Sequence, residues 1–358
     1  MGGAFTDHLT WRWCFYINLP FGGLTAAFII PFFQVPRRGK KIDATWKEQI
    51  KKFDLEGTAL FLPAVICLLL ALQWGGSKYN WGNARIIVLL ILFALLIAGF
   101  VWVQHWKQEN ATVPPRVFMN RNVWGSAWFG AMVGASFFVM VYYLPIWFQA
   151  IKGVSATKSG IMNLPAILGL VIISMAAGIL VTVIGYYTPF MLVSSVLMAI
   201  GAGLLSTFET NTGHSKWIGY QFIFGAGVGF GMQQTLIAVQ TALPDKDVAI
   251  GTAIQMFAQT LGGALFISVG QNVFTNQLIQ NLQSVVPDLN PGIVLAVGAT
   301  ELKNQIPEQF LKGVLSAYNK TLTETFYVSV AAGAISIIGA IFVEWKSMKG
   351  KNIQMAAA

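Results

Sequence analysis

Long stretches without any charged residue or histidine dominate this chain. Eight stretches lack Asp, Glu, Lys, Arg and His, namely 13–36, 57–77, 86–104, 122–151, 159–208, 217–244, 248–287 and 325–343. A helix needs about 20 predominantly apolar residues to cross a bilayer. The stretch 159–208 is too long for one crossing and breaks at Gly185-Tyr-Tyr-Thr-Pro189, where Gly and Pro interrupt a helix. The sequence therefore predicts an all-α polytopic membrane protein with nine transmembrane helices.

Composition excludes several classes of function. Charged residues make up 10% of the chain, against about 25% in soluble domains. The net charge of +9 is spread between the apolar stretches, so we expect no continuous basic face and no nucleic-acid partner. Two cysteines allow no disulfide framework, and His8, His105 and His214 lack ligand spacing. We expect no metal, no cofactor and no catalytic residue, hence no enzyme.

The distribution of Lys and Arg predicts the orientation. Most basic residues of the short loops fall on the side of the 36–54 loop and the C-terminus. The positive-inside rule places that side in the cytoplasm, and the 276–320 segment is then an external loop. Within 37–53, apolar residues at helical spacing lie beside lysines, which is typical of an amphipathic helix on the membrane surface. A calmodulin-like target is the alternative.

Uncharged polar residues inside the spans are the candidates for a substrate cavity. They are Gln233, Gln234, Gln255 and Gln259, and the last two lie four residues apart on one helix face. These amides either bind a polar organic substrate or join neighbouring helices. The acidic residues Glu56, Glu324 and Glu344 are predicted at helix ends, so the spans offer no obvious proton carrier.

Aromatic residues and glycines carry two further hypotheses. Tyr142, Tyr143 and Phe148 either form an interfacial belt or an external gate that stacks on a planar substrate. The glycines are predicted to let helices pack closely: Gly225, Gly227, Gly229, Gly231, Gly262 and Gly263. The alternative of a phosphate-binding loop is disfavoured, because no strand precedes this glycine-rich segment.

Several segments together resemble one family. They are GGAFTDHLTWRWCFYINLPFGG (2–23), DLEGTALFLPAVICLLLALQWGG (54–76), ATVPPRVFMNRNV (111–123), YYLPIWFQAIKGVSATKSGIMNLP (142–165), KWIGYQFIFGAGVGFGMQQ (216–234) and VAIGTAIQMFAQTLGGALF (248–266). The chain is similar to the fungal fourteen-span drug:proton antiporters of the major facilitator superfamily. In that family a Gly-Pro-x-x-Gly-Gly antiporter motif ends the fifth span, and its last two glycines correspond to Gly2 and Gly3.

The resemblance implies a division of the chain. It assigns 1–35 to the end of the fifth span, an external loop and the sixth span, 36–54 to a cytoplasmic loop, 55–104 to two extra linker spans, 105–122 to a second cytoplasmic loop, 123–344 to a six-helix bundle and 345–358 to a cytoplasmic tail. Five spans are then absent, together with most of the N-terminal bundle and the family's proton-coupling motifs, as in an N-terminally truncated chain.

The implied function is export of small organic molecules across the plasma membrane. The resembled family expels drugs, toxins or secondary metabolites in exchange for protons, and the partners are then the lipid bilayer, an organic substrate and protons. A truncated, non-transporting remnant is the alternative. Asn319 lies in an Asn-x-Thr sequence on the predicted external side and is a glycosylation candidate. The substrate's identity and the oligomeric state are not readable from the sequence.

Overall fold

A computed structural model describes residues 2–32 and 54–348. The predicted amphipathic segment 37–53 lies outside these residues. Within them the chain is almost entirely helical, and no strand is present in the described ranges.

Sixteen α-helices occur in the described residues. Their bounds are α1 Gly2–His8, α2 Trp13–Tyr16, α3 Asn18–Phe32, α4 Leu55–Trp74, α5 Ala84–Lys107, α6 Pro115–Phe118, α7 Arg121–Trp147, α8 Ala156–Met162, α9 Leu164–Ile184, α10 Thr188–Leu205, α11 His214–Met232, α12 Gln234–Ala242, α13 Asp245–Val285, α14 Pro291–Ala296, α15 Leu302–Gln305 and α16 Glu308–Phe342. A 3₁₀ turn follows α5 at Gln108–Asn110, and a π-helical turn follows α7 at Phe148–Lys152.

Nine helical segments in the described ranges are long and apolar enough to cross a membrane, which confirms the sequence prediction. They are Trp13–Phe32, Leu55–Trp74, Ala84–Lys107, Arg121–Lys152, Ala156–Ile184, Thr188–Leu205, His214–Ala242, Asp245–Val285 and Glu308–Phe342. The break predicted in the stretch 159–208 is observed. Gly185 ends α9 with a left-handed φ of 85°, a conformation that glycine adopts without a steric penalty.

The last six spans form one bundle. Along its length α7 packs against α13 and α16, while α11 packs against α9 and α10, and α10 also contacts α16. Serine hydroxyls join α16 to two neighbours, with Oγ–Oγ distances of 2.7 Å for Ser136–Ser329 and 2.7 Å for Ser195–Ser336. Short polar side chains of this kind hold helices together where no water competes.

The helical pair α4–α5 lies against α13 of the bundle. The rings of Phe61 and Phe257 have centroids 5.2 Å apart, and Asn272 donates its amide to the carbonyl of Leu72 at 2.6 Å. We call the end of the bundle where α4 and α7 begin the Asp54 end, and the opposite end the Gly76 end. At the N-terminus, α1 packs on α8, and α3 has no buried residue in the described structure.

The prediction of a loop over 276–320 is wrong. Helix α13 continues to Val285 and α16 begins at Glu308, so the connection is 286–307. The two extensions are stable helices because they bury apolar residues such as Leu278 and Leu282 against each other and the connection. Helix α13 is therefore roughly 60 Å long at 1.5 Å per residue, well beyond the hydrocarbon thickness of about 30 Å.

The extension also corrects the position of Glu324. This residue lies in the interior of α16 rather than at a helix end. Its Oε2 accepts a hydrogen bond from the Asn281 amide at 2.9 Å, and Asn281 also donates to the Thr321 hydroxyl at 3.0 Å. The carboxylate thus joins the extended parts of α13 and α16.

Candidate functional site

A helix break lies inside the span His214–Ala242. Helix α11 ends at Met232 and α12 begins at Gln234, with Gln233 at the joint. The Thr235 hydroxyl donates to the Met232 carbonyl at 3.1 Å, which satisfies an oxygen near the break. The irregularity is local, because Gln233 keeps right-handed helical angles (φ −85°, ψ −22°). Transporters commonly build their binding sites at discontinuities of spanning helices.

Buried amides surround this break. Gln255 of α13 is fully buried and donates to the Thr235 hydroxyl at 2.6 Å. Its amide also lies 3.5 Å from Oε1 of Gln259. The two glutamines face α7 at Gly130 and Gly134, where a methyl group would collide with the Gln255 side chain and the Gln259 backbone. The structure therefore brings α7, α12 and α13 together around one polar cluster.

Gln234 has the fewest side-chain hydrogen bonds of the buried residues in the cluster. Its side chain is fully buried, and within the described residues neither amide atom has a hydrogen-bond partner. Oε1 of Gln255 is also without a partner among them. A buried amide without a partner costs about 1–3 kcal/mol, so such a group gains free energy when water or a ligand supplies the missing bonds. Gln233 is half-buried beside it.

A small apolar cavity lies elsewhere in the bundle. Its volume is about 170 Å³, and it lies between α7, α9 and α11. Phe137, Val141 and Phe224 are among its lining residues, and Asn163 is a polar group at its edge. Asn163 is also where α8 gives way to α9, with its amide donating to the Ser159 carbonyl at 2.8 Å.

The predicted aromatic group separates into two environments. Tyr143 and Phe148 are buried, whereas Tyr142 is 47% exposed. The Tyr143 hydroxyl donates to Oε1 of Gln271 at 3.3 Å, and the Phe148 ring meets the Trp217 ring edge-on at 5.3 Å. The exposure expected of an interfacial belt is therefore found at Tyr142, while Tyr143 and Phe148 lie inside the bundle.

The glycines of α11 face three different helices. A methyl group on Gly225 or Gly229 would collide with backbone atoms of α9, and one on Gly227 with backbone atoms of α10. Gly231 lies against Phe129 of α7 and the Ser194 hydroxyl of α10. On α13, Gly262 meets the backbone of Ala131 and Gly263 the ring of Phe138, both on α7. Where the neighbour is backbone, as at Gly225, Gly227, Gly229 and Gly262, a larger residue does not fit unless a helix moves.

At the N-terminus, Gly3 lies against the backbone of α8. A methyl group there would collide with the Ala156 carbonyl. Gly2 is near the Cys14 sulfur, at 3.7 Å from the position of such a methyl group. Asp7 accepts a hydrogen bond from the Thr157 amide at 2.8 Å, which fixes α1 to the start of α8.

The glycosylation hypothesis at Asn319 does not fit the structure. Its Oδ1 accepts from the Trp147 indole at 2.7 Å, and its Nδ2 donates to the Phe208 carbonyl at 3.0 Å. The amide nitrogen that a glycan would use is therefore engaged by the segment that follows α10.

A carboxylate at the Asp54 end was missed by sequence reasoning. Asp54 caps α4 by accepting from the Gly57 amide at 2.9 Å, and it also accepts from Gln104, from Lys107 at 2.9 Å and from the amide and hydroxyl of Thr112 at 3.2 Å each. Burial raises the pKa of the Asp54 carboxyl, but these bonds outweigh burial and hold the pKa well below its usual range. The N-cap is readable from an Asp before an apolar run, whereas its partners lie 50 or more residues away.

A second ionic contact joins the same region to α13. Arg116 pairs with Asp247 at 2.8 Å and with Glu109 at 2.9 Å. Hydrogen bonds to these two carboxylates raise the pKa of the Arg116 guanidinium above its usual value. Together with Asp54, this contact fastens the loop before α7 to both α4 and α13.

The sequence matches the model of one known family. The family model for the Major Facilitator Superfamily matches residues 1–267. The chain belongs to the major facilitator superfamily. This superfamily consists of membrane transporters.

Curated fungal relatives align with at least 98% of the chain. It is 59% identical over 358 residues to the MFS-type efflux pump MFS1 of Arthroderma benhamiae, covering 100% of this chain and 67% of the relative. It is 53% identical over 349 residues to the efflux pump roqT of Penicillium rubens (98% and 65%), and 52% over 353 residues to the MFS-type transporter astH of Aspergillus oryzae (99% and 62%). The chain thus spans about two thirds of the length of these relatives, which are transporters rather than enzymes.

Proposed function

We propose that this major facilitator chain acts in the export of small organic molecules, such as drugs, toxins or secondary metabolites. The observation that carries the proposal is the fully buried Gln234 amide at the α11–α12 break, whose two polar atoms have no partner among the described residues. A transported molecule with a hydrogen-bonding group supplies what this amide lacks. The fungal relatives named efflux pumps support the same direction of transport.

The residues around the break take distinct roles in this proposal. Gln234 and Gln255 bind the polar group of the substrate, and Thr235 holds the Gln255 amide in place. Gln233 and Gln259, both half-buried, line the approach to the pair. The apolar part of the substrate lies against Phe137 and neighbouring residues of the small cavity. Such a mixture of an apolar wall and a few placed polar groups is typical of small-molecule sites.

Transport in this proposal follows alternating access. The bundle formed by the last six spans rocks as one body, and the site near the middle of the membrane is exposed to each side in turn. Close helix contacts at Gly225, Gly229 and Gly262 keep the bundle rigid during the movement. Protons supply the driving force, the membrane is the plasma membrane and the C-terminus is cytoplasmic, in agreement with the basic loops of the Asp54 end.

The experiment measures drug accumulation in a yeast strain that lacks its own exporters. The chain is expressed alone and also joined behind the N-terminal third of the 59% identical relative. Export lowers the accumulation of at least one compound from a panel of planar, hydrogen-bonding toxins, and an uncoupler abolishes the difference. Gln234→Leu weakens export about fivefold, since one lost hydrogen bond of about 1 kcal/mol changes affinity by that factor.

The control is Gln73→Leu, which removes an amide from an exposed position on α4. It leaves accumulation unchanged. Purified chain is tested in parallel for binding of the same compounds by thermal shift. If both proteins reach the plasma membrane, lower no accumulation and bind no compound, the proposal is wrong and the chain is a non-transporting remnant.

A further inference from the structure

A larger cavity lies away from the polar cluster. Its volume is about 890 Å³, and it lies between the α4–α5 pair and helices α7 and α13. Its lining is almost entirely apolar and includes Phe61 of α4, Val101 of α5 and Ile254 of α13. A cavity of this size falls within the range of ligand sites, about 300–1,000 Å³.

The polar lining residues gather at the Asp54 end. They are Gln104, His105 and Thr112. Gln104 and Thr112 are already engaged, because both donate to Asp54 and Gln104 also accepts from the Val113 amide at 2.8 Å. A polar solute therefore finds no free partner along the walls. His105 is exposed at this end, which we call the mouth of the cavity.

The length of the cavity matches one leaflet of a membrane. Its wall on α13 runs from Ala249 to Leu261, which is ~18 Å at 1.5 Å per residue. The hydrocarbon of one leaflet is about 15 Å thick, half of the roughly 30 Å core. From this length, the apolar lining and the polar mouth, we propose that the cavity holds an acyl chain of a phospholipid from the leaflet at the Asp54 end.

Contacts at three levels hold the walls of this lipid site apart at a fixed distance. Arg116 and Asp247 join them at the Asp54 end, Phe61 and Phe257 meet in the middle, and Asn272 binds the end of α4. A lipid between fixed walls exchanges slowly, whereas lipid on an open helix face exchanges freely. Bulk lipid is as apolar as the cavity, so apolarity does not distinguish a bound acyl chain from its surroundings. The distinguishing property is the longer residence time of the lipid in the cavity.

The experiment uses the whole chain in phosphatidylcholine nanodiscs. The probe is phosphatidylcholine with a photoreactive diazirine in one acyl chain. Probe is loaded and then exchanged against excess unlabelled vesicles before irradiation, and labelled residues are identified by mass spectrometry. Labelling of the exposed α9 residues Val171, Met175 and Ile179 falls at least tenfold on exchange. Labelling of the cavity residues Ile250 and Ile254 falls less than twofold.

A matched pair of variants ties the result to the cavity. Ala253→Trp fills the space and lowers cavity labelling at least fivefold, whereas Ala334→Trp on the exposed face of α16 leaves it unchanged. If Ala253→Trp does not fold, Ala258→Leu serves the same purpose. The proposal is overturned if cavity labels exchange as fast as those on α9, if the cavity is never labelled, or if filling it changes nothing. None of these readouts depends on transport.

Discussion

Removing the Asp54 carboxylate tests how α4 and α5 are fixed at their shared end. The residue is 5% exposed and accepts hydrogen bonds from α4, α5 and the loop that follows. Bonds to a charged group contribute about 1.5–3 kcal/mol each, yet loss of one partner from a buried ion pair costs about 3–5 kcal/mol in all. Lys107 keeps Glu56 at 2.9 Å, so we expect Asp54→Ala to lower the free energy of unfolding by about 3–4 kcal/mol.

The pH dependence follows from the lowered pKa of Asp54. A carboxyl whose folded-state pKa lies below its unfolded value stabilises the fold at all pH values above the unfolded pKa, about 3.9. That stability is lost only as the pH falls toward the folded-state value. The difference between wild type and Asp54→Ala is therefore constant from pH 8 to pH 5.

The assay is denaturant unfolding of the purified chain in detergent, with hydrogen exchange at the Gly57 and Thr112 amides as a local readout. Asp54→Asn keeps the size of the side chain, but its amide NH2 group then faces the N–H and O–H donors that bind the carboxylate. We therefore expect the stability of Asp54→Asn to fall close to that of Asp54→Ala. The control is Asp288→Asn at an exposed position, which changes stability by less than about 0.5 kcal/mol. A loss below 1 kcal/mol for Asp54→Ala, or one that shrinks between pH 8 and pH 6, refutes this reasoning.

Two further predictions concern the packing of α11 and the Asn319 amide. Gly225→Leu is expected to destabilise the bundle by about 1–3 kcal/mol or more, because its side chain meets the Ala166 carbonyl, whereas Gly219→Leu on the same helix meets open space. Thermal unfolding compares the two, and equal melting temperatures contradict the packing described for α11. Asn319→Gln is expected to leave electrophoretic mobility unchanged, with or without glycosidase, because the Asn319 amide is engaged with Phe208. A glycan at this position would appear as a mobility shift that the substitution removes.

The number of spans was predictable because the bilayer imposes one simple requirement on length and polarity. The same rule failed at the ends of α13 and α16. The predicted loop 276–320 includes Asn281, and Glu324 was predicted at a helix end, although the Asn281 amide donates to the Glu324 carboxylate across the two helices. The signal that was available is the spacing of Phe274, Leu278 and Leu282, four residues apart and all buried, which is typical of one helix face.

The polar cluster was predictable in its members but not in its geometry. Glutamines deep in apolar stretches stand out in any sequence, and Gln255 and Gln259 share a helix face because of their spacing. That Gln234 lies at a helix break was not readable, since neither Pro nor a charged residue marks the joint after Met232. The Asp54 contacts were hidden for another reason. Pairing across 50 or more residues is a property of the fold and leaves no local pattern.

The joint at Gln233 divides the contacts of one span between two sets of neighbouring helices. Before it, α11 is fixed through Gly225 and Gly227 to α9 and α10. After it, α12 belongs with α13, where Gly251 meets Val239 and Leu243. Gln234 is the first residue of α12, so its amide lies where the two sets of helices meet. A molecule bound at this amide would therefore rest against both sets of helices at once.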